Sequence, residues 1–62
     1  MTQLTVVKQL VIELISNAYE NGYEAEIKAL TDEELAWDIF DSIEDQNITY
    51  DEVLMAVIDF WS

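Results

Sequence analysis

The apolar positions of this chain recur at helical spacing along most of its length. Residues 3–20 follow the i, i+3, i+4, i+7 pattern of an amphipathic helix, with apolar positions at Leu4, Val7, Leu10, Val11, Leu14, Ile15 and Ala18. Asn21–Gly22 comes next, and because this pair tolerates the left-handed backbone of a helix cap, we predict that the helix ends there. Val6, Ile12 and Tyr19 widen its apolar arc to roughly two-thirds of the circumference. A helix this apolar lies either at the centre of the core or against a second copy of the chain.

Two further helix starts carry the same sequence signature. Thr31 precedes Glu34 by three residues, and Thr49 precedes Glu52 by three. This is the spacing of a capping box, in which the Thr hydroxyl and the Glu carboxylate satisfy end amides reciprocally. No stretch shows the sustained period-two alternation of a strand. The pattern therefore predicts a single small all-α domain over residues 1–62. Its predicted elements are three helices at about 3–20, 31–45 and 49–61, with a short helical turn near 24–29.

The charge of the chain lies mostly in its second half. Residues 32–62 carry ten carboxylates and no Lys or Arg, whereas residues 1–31 carry four carboxylates and both lysines, and the net charge is −12. Like charge concentrated on a small folded surface reduces stability through self-repulsion and creates a field that attracts cationic groups. The chain has no Cys and no His, so disulfides and the ordinary zinc, haem and iron–sulfur sites are excluded. At this length, close helix packing or self-association must supply the stability.

The helix predicted over 31–45 separates an apolar face from an acidic one. The inward positions are Leu35, Ala36, Ile39, Phe40 and Ile43. Four carboxylates at i, i+4, i+7 and i+11 form what we call the acidic stripe on the opposite side: Glu34, Asp38, Asp41 and Asp45. Like charges at this spacing cost a helix a few tenths of a kcal/mol per pair, and no basic residue in this half offsets them. The alternative interpretation is a solvated face that serves only solubility.

Trp37 projects from the same outward side of this helix. On a helical wheel it lies between Glu33, Asp41 and Glu44. A Trp flanked by carboxylates suits a binding hot spot, because it supplies a large anchor and stacks with an incoming Arg or Lys. The alternative is that a broad core or a dimer mate covers it. The predicted partner-binding residues are therefore Glu34, Trp37, Asp38, Asp41 and Asp45.

Residues 31–60 resemble an EF-hand in outline, with an acidic helix, a twelve-residue window Asp41–Glu52 and an apolar helix beyond it. The positions that match the family's loop are Asp41 (first ligand), Asp45 (fifth), Asn47 (backbone carbonyl), Ile48 (hydrophobic eighth) and Glu52 (bidentate twelfth). Two departures weaken the resemblance. Ile43 stands where a third-position Asp or Asn is expected, and Gln46 replaces the Gly of the sharp turn. We therefore predict no physiologically relevant Ca²⁺ site, and we expect only weak, non-specific association of divalent ions with the clustered carboxylates. No specific metal site and no cofactor are predicted.

Several function classes lack support in this composition. The chain has no Cys, His or Arg, and its serines lack a base of the usual type, so we predict that it is not an enzyme. Its charge would repel the phosphates of nucleic acid and the headgroups of acidic lipids. No stretch offers the about 20 apolar residues of a membrane span. We expect no direct nucleic-acid binding, no membrane association and a cytoplasmic location.

Two functions remain open. The first is an acidic module that binds the basic surface of a partner protein. In its sharper form the module is an inhibitor that mimics nucleic acid, since the stripe repeats every ~4.5–6 Å along the helix axis, on the order of phosphate spacing. The second is a structural or adaptor protein that self-associates, as a homodimer or larger, through its N-terminal helix. Chains this small, acidic and free of Cys are similar in kind to accessory and inhibitor proteins of phages and mobile elements, which would place the protein in host cytoplasm.

Overall fold

The computed structural model describes residues 3–43 and 47–62, and these form four helices and no strand. The helices are α1 (Gln3–Glu20), α2 (Glu24–Ala29), α3 (Asp32–Ser42) and α4 (Tyr50–Trp61). The predicted all-α fold is confirmed, and the helical turn expected near 24–29 is α2. Within the described ranges, no helix combines the length and the apolar character that crossing a membrane requires.

The third helix is shorter than predicted. α3 ends at Ser42 rather than at residue 45, because Ile43 has an extended backbone with φ −93° and ψ 124°. Its last turn contains Asp41 and no basic residue, so a carboxylate faces the negative end of the helix dipole. Ile43 packs against the core instead of continuing the helix. Residues 44–46, and with them Asp45 of the acidic stripe, lie outside the described residues.

Local signals in the sequence set the other helix boundaries. α1 ends in a Schellman motif, in which the Gly22 amide donates to the Tyr19 carbonyl at 3.1 Å and the Tyr23 amide donates to the Ala18 carbonyl at 3.0 Å. Gly22 has a φ of +89°, a region that favours glycine. The capping boxes predicted at Thr31 and Thr49 are both confirmed.

α4 is the central helix of the core. It packs against both α1 and α3, while α2 packs against α1. The buried side chains are Val7, Val11, Ile15, Ile27, Leu35, Ala36, Ile39, Ile48, Val53, Ala56 and Val57. The inward face predicted for α3 is confirmed, since Phe40 also packs against this core. The wide apolar arc of α1 does not place that helix at the centre, because Val6 and Ile12 remain about half exposed.

Residues 47–49, which lead into α4, contact both the core and the start of α1. Ile48 is buried in the core, although the sequence pattern places it only in a connection. Gln3 Nε2 donates to the Asn47 carbonyl and lies 3.5 Å from Glu52 Oε1. The start of α1 is thereby joined to the start of α4.

Candidate functional site

The outward surface of α3 carries the predicted partner-binding residues that the structure describes. Glu34, Trp37, Asp38 and Asp41 are all exposed. At 3.6 residues per turn, their order around the helix is Trp37, Asp41, Glu34, Asp38. They form one continuous band, with Trp37 on the flank towards α4 and Asp38 on the opposite flank. Asp45, the fifth predicted residue, lies outside the described part of the chain.

The carboxylates of this band are not neutralised within the described residues. Lys8 pairs with Asp59 at 3.8 Å, and Lys28 pairs with Glu24 at 2.7 Å. The hydrogen bond from Lys28 to Glu24, together with the Glu24 charge, raises the pKa of Lys28. These are the two lysines of a chain without Arg. Both cations therefore lie beside other carboxylates, and in the described ranges no ion pair involves α3.

Glu34 has a local role that Asp38 and Asp41 do not share. Its Oε1 accepts a hydrogen bond from the Thr31 amide at 2.9 Å, and the Glu34 amide donates to the Thr31 hydroxyl at 3.1 Å. Glu34 also lies in the first turn of α3, where the helix dipole stabilises negative charge. The charge most available to a partner is therefore that of Asp38 and Asp41.

Trp37 belongs to an aromatic cluster that spans α3 and α4. Its ring stacks on Tyr50 with centroids 4.3 Å apart and planes 20° apart, and it meets Phe40 edge-on at 5.8 Å. Phe40 in turn meets Tyr50 edge-on at 6.2 Å. Trp37 is 53% exposed, as its outward position predicts, but Tyr50 covers one of its faces. A cation can approach only the other face.

Tyr50 is a site residue that sequence reasoning missed. It is the first residue of α4, directly after the cap Thr49, and its hydroxyl lies 3.5 Å from the Glu33 carbonyl oxygen. Partial burial raises the pKa of Tyr50, and the charges of Glu33 and Asp51 raise it further. One sequence feature could have indicated it: Tyr50 is an aromatic residue at the predicted start of a helix, and the preceding helix carries an outward Trp.

On the other flank of α3, Asp38 borders an open cavity of about 410 Å³, which we call the α2–α3 groove. Its apolar lining comes from three helices and from the segments that flank α2: Leu14, Ile15, Ala18, Tyr23, Ile27, Leu30, Leu35 and Ile39. Its polar lining residues are Glu26, Asp38 and Ser42. The groove exists because α2 has only six residues and packs on α1, so it does not cover the adjacent side of α3.

The EF-hand-like window has a different arrangement from a calcium loop where it is described. Glu52, the residue that matches the bidentate ligand, accepts hydrogen bonds at 3.0 Å from both the amide and the hydroxyl of Thr49. Within residues 3–43 and 47–62, no three acidic side chains are grouped so as to hold a metal ion. Asp45 and Gln46 of the window lie outside those ranges. The hydrogen bonds of Glu52 to Thr49 are those of a helix cap.

A second apolar surface lies along the seam between α1 and α4. A shallow cavity of about 260 Å³ there is lined by Leu4, Lys8, Met55, Ile58, Asp59 and Ser62. Met55 and Ile58 are 54% and 48% exposed. These two side chains leave apolar surface exposed on α4 at this seam.

Charged, aromatic and apolar surfaces thus meet on α3. The acidic residues lie at its centre, the Trp37–Tyr50 pair on one flank and the α2–α3 groove on the other. Exposed aromatic side chains are enriched at protein-binding surfaces, and clustered charge of one sign attracts groups of the opposite sign. No family model matches this chain, and no curated protein or solved structure is detectably similar to it.

Proposed function

We propose that this chain is a non-enzymatic acidic interaction module that binds a basic surface of a partner protein through the outward face of α3. The observation that carries the proposal is that Asp38 and Asp41 are exposed and take part in none of the ion pairs of the described residues. Charge that is not neutralised internally is free to steer a cationic partner. The open face of Trp37 supplies an anchor beside it.

The sharper form of the proposal is an inhibitor that occupies a nucleic-acid-binding surface. Asp38 and Asp41 lie about one helical turn apart, ~4.5 Å along the axis, and this is on the order of the spacing of phosphates along a strand. An accessory protein of a phage or mobile element, acting in host cytoplasm, is the biological setting that fits this chemistry. Competition between a captured partner's nucleic acid and this protein tests the sharper form separately.

Affinity capture with matched charge variants tests the general proposal. One variant carries Asp38→Asn and Asp41→Asn on α3. Its control carries Glu13→Gln and Glu20→Gln on the exposed side of α1, so both have the same net charge. We expect wild type and the control to retain a partner with a basic surface at low salt, and the α3 variant to lose it. Equal retention by all three proteins would exclude the α3 face as the binding surface.

Homo-oligomerisation is a second candidate function, favoured by the exposed apolar side chains along the α1–α4 seam. Met55 and Ile58 are each about half exposed there, and the equally exposed Ile12 lies one helical turn beyond Lys8 on α1. A two-fold interface at this seam would leave α3 outward. Sedimentation equilibrium at moderate salt should then give a dimer of the 7.2 kDa chain, and Ile58→Lys should shift it to monomer. A wild-type monomer at high micromolar concentration would contradict this candidate.

A further inference from the structure

We infer that the α2–α3 groove receives a basic amphipathic helix of the partner, whose apolar side chains enter the groove while its Lys or Arg side chains pair with Asp38 and Glu26. This inference rests on the proposed function, because it specifies which element of a basic partner binds and where. It adds a second contact region to the α3 face, on the flank opposite Trp37.

The chemistry of the groove defines its occupant. Its interior is apolar, whereas both charged residues that line it, Glu26 and Asp38, are acidic. Lys28, the lysine on the same short helix as Glu26, pairs with Glu24. An occupant must therefore be apolar on one side and cationic at its margins, which is the pattern of a basic amphipathic segment.

The dimensions of the groove suit a helix. Along α3 the lining runs from Leu35 to Ser42, about two helical turns or roughly 10 Å at 1.5 Å per residue. Its volume of about 410 Å³ is in the range of small-molecule pockets, so it receives the anchor side chains of a helix and not the whole helix. Two turns of a bound helix present apolar residues at i, i+3 or i+4 and i+7, which is the usual anchor set of a helix in a groove.

Charge disfavours two other occupants. A second copy of this chain would bring a net charge of −12 to an acidic margin, and its lysines already pair with Asp59 and Glu24. Anionic lipid would be repelled for the same reason. A cationic helix from another protein meets complementary charge and an apolar floor at the same place.

Two kinds of substitution separate the groove from the rest of α3. Ala18→Phe places a ring in the groove from α1, and Ser42→Leu fills it from the end of α3. Ser42→Leu is a second filling variant, used in case Ala18→Phe does not fold. Among the hydrogen bonds of the described residues, the Ser42 hydroxyl donates at 3.0 Å to the Asp38 carbonyl of its own helix. Its loss therefore breaks no hydrogen bond between helices. Asp38→Asn and Glu26→Gln remove margin charge and leave the volume unchanged. Asp41→Asn removes the same charge from the band outside the groove lining.

The probe is a display library of helical peptides about four turns long, selected on wild type and then measured against each variant. We expect selected peptides to be basic and to carry apolar residues at i, i+3 or i+4 and i+7. Filling the groove should weaken their binding about 10-fold or more, and removing Asp38 or Glu26 charge should weaken it roughly 3- to 10-fold. Amide shifts of Ala18 and Leu35 on peptide addition would place the peptide in the groove.

The outcomes distinguish this inference from the function on which it rests. Basic peptides that are weakened by Asp41→Asn but unaffected in folded Ser42→Leu would overturn the groove inference and leave the proposed function standing. Neutral or acidic peptides would overturn both. Groove filling that abolishes self-association would identify a second copy as the occupant and overturn the inference as well.

Discussion

The indole of Trp37 on α3 stacks on the phenol ring of Tyr50 on α4, with centroids 4.3 Å apart and an angle of 20° between the ring planes. This pair links the helix that carries the acidic surface to the central helix of the core. It also fixes which face of Trp37 is open. A cation that bound this face would meet an indole that is already oriented, so less conformational entropy would be lost on binding.

The stack should contribute measurably to stability. A double-mutant cycle of Trp37→Ala and Tyr50→Ala, measured by urea denaturation, should give a coupling energy of about 0.5–1.5 kcal/mol in the free energy of unfolding. The pair Trp61→Ala and Tyr50→Ala is the control, since Trp61 packs on Phe60, and its coupling should be near zero. Equal coupling in the two cycles would contradict a specific stack.

Tyr50 should make the protein less stable at alkaline pH. Partial burial and the charges of Glu33 and Asp51 raise the pKa of Tyr50 above its ordinary value of 10.0. Above that value the unfolded chain loses this proton first, so the free energy of unfolding falls as pH rises from 10.0 towards the folded pKa. Tyr50→Phe should flatten this fall and remove a tyrosinate absorbance step above 10.0. A step that persists in Tyr50→Phe would assign the raised pKa to another residue.

Gly22 should be the least replaceable residue between α1 and α2. It has a φ of +89°, and the space that a Cβ would occupy there has no neighbouring heavy atom within 4 Å, so a substitution meets backbone strain rather than a clash. Gly22→Ala should lower the free energy of unfolding by about 1–2 kcal/mol. Gly22→Asn is the matched variant and should lose less, because Asn tolerates this backbone region. Similar losses for both would argue against strain as the cause.

Substitutions should distinguish the capping role of Glu34 from its contribution to the surface charge. Gln at this position keeps a capping box, so Glu34→Gln should change the free energy of unfolding by less than about 0.5 kcal/mol while it removes one surface charge. Thr31→Ala should cost about 1 kcal/mol because it removes the cap. Ser16→Ala, at an exposed position within α1, controls for the loss of a hydroxyl. A large loss in Glu34→Gln would show that the charge itself holds the cap.

The parts of the fold that are set by residues close together in the sequence were predictable from it. Capping signals at Thr31 and Thr49 are local hydrogen-bonding patterns, and the helical spacing of Leu35, Ala36 and Ile39 reports their burial directly. The end of α3 was not predictable in this way. The apolar spacing extended through Ile43, but Ile43 reaches the core with an extended backbone.

The candidate site was only partly predictable because two of its features arise from tertiary packing. The exposure of Trp37, Asp38 and Asp41 follows from their positions on one amphipathic helix. The cover that Tyr50 gives to Trp37 depends on how α4 crosses α3. The α2–α3 groove depends on the packing of α2 against α1, and no periodicity within a single helix contains that information.

The central claim is that Asp38 and Asp41 steer a basic partner onto α3. The most direct measurement is the association rate constant of the captured partner, by stopped-flow fluorescence over a range of salt concentrations. The Asp38→Asn/Asp41→Asn variant should associate on the order of 3- to 10-fold more slowly than wild type at low salt, with a flatter salt dependence. The α1 control, Glu13→Gln/Glu20→Gln, should stay close to wild type. If the α3 variant associates as fast as the control at low salt, the acidic surface serves only solubility and the account is contradicted.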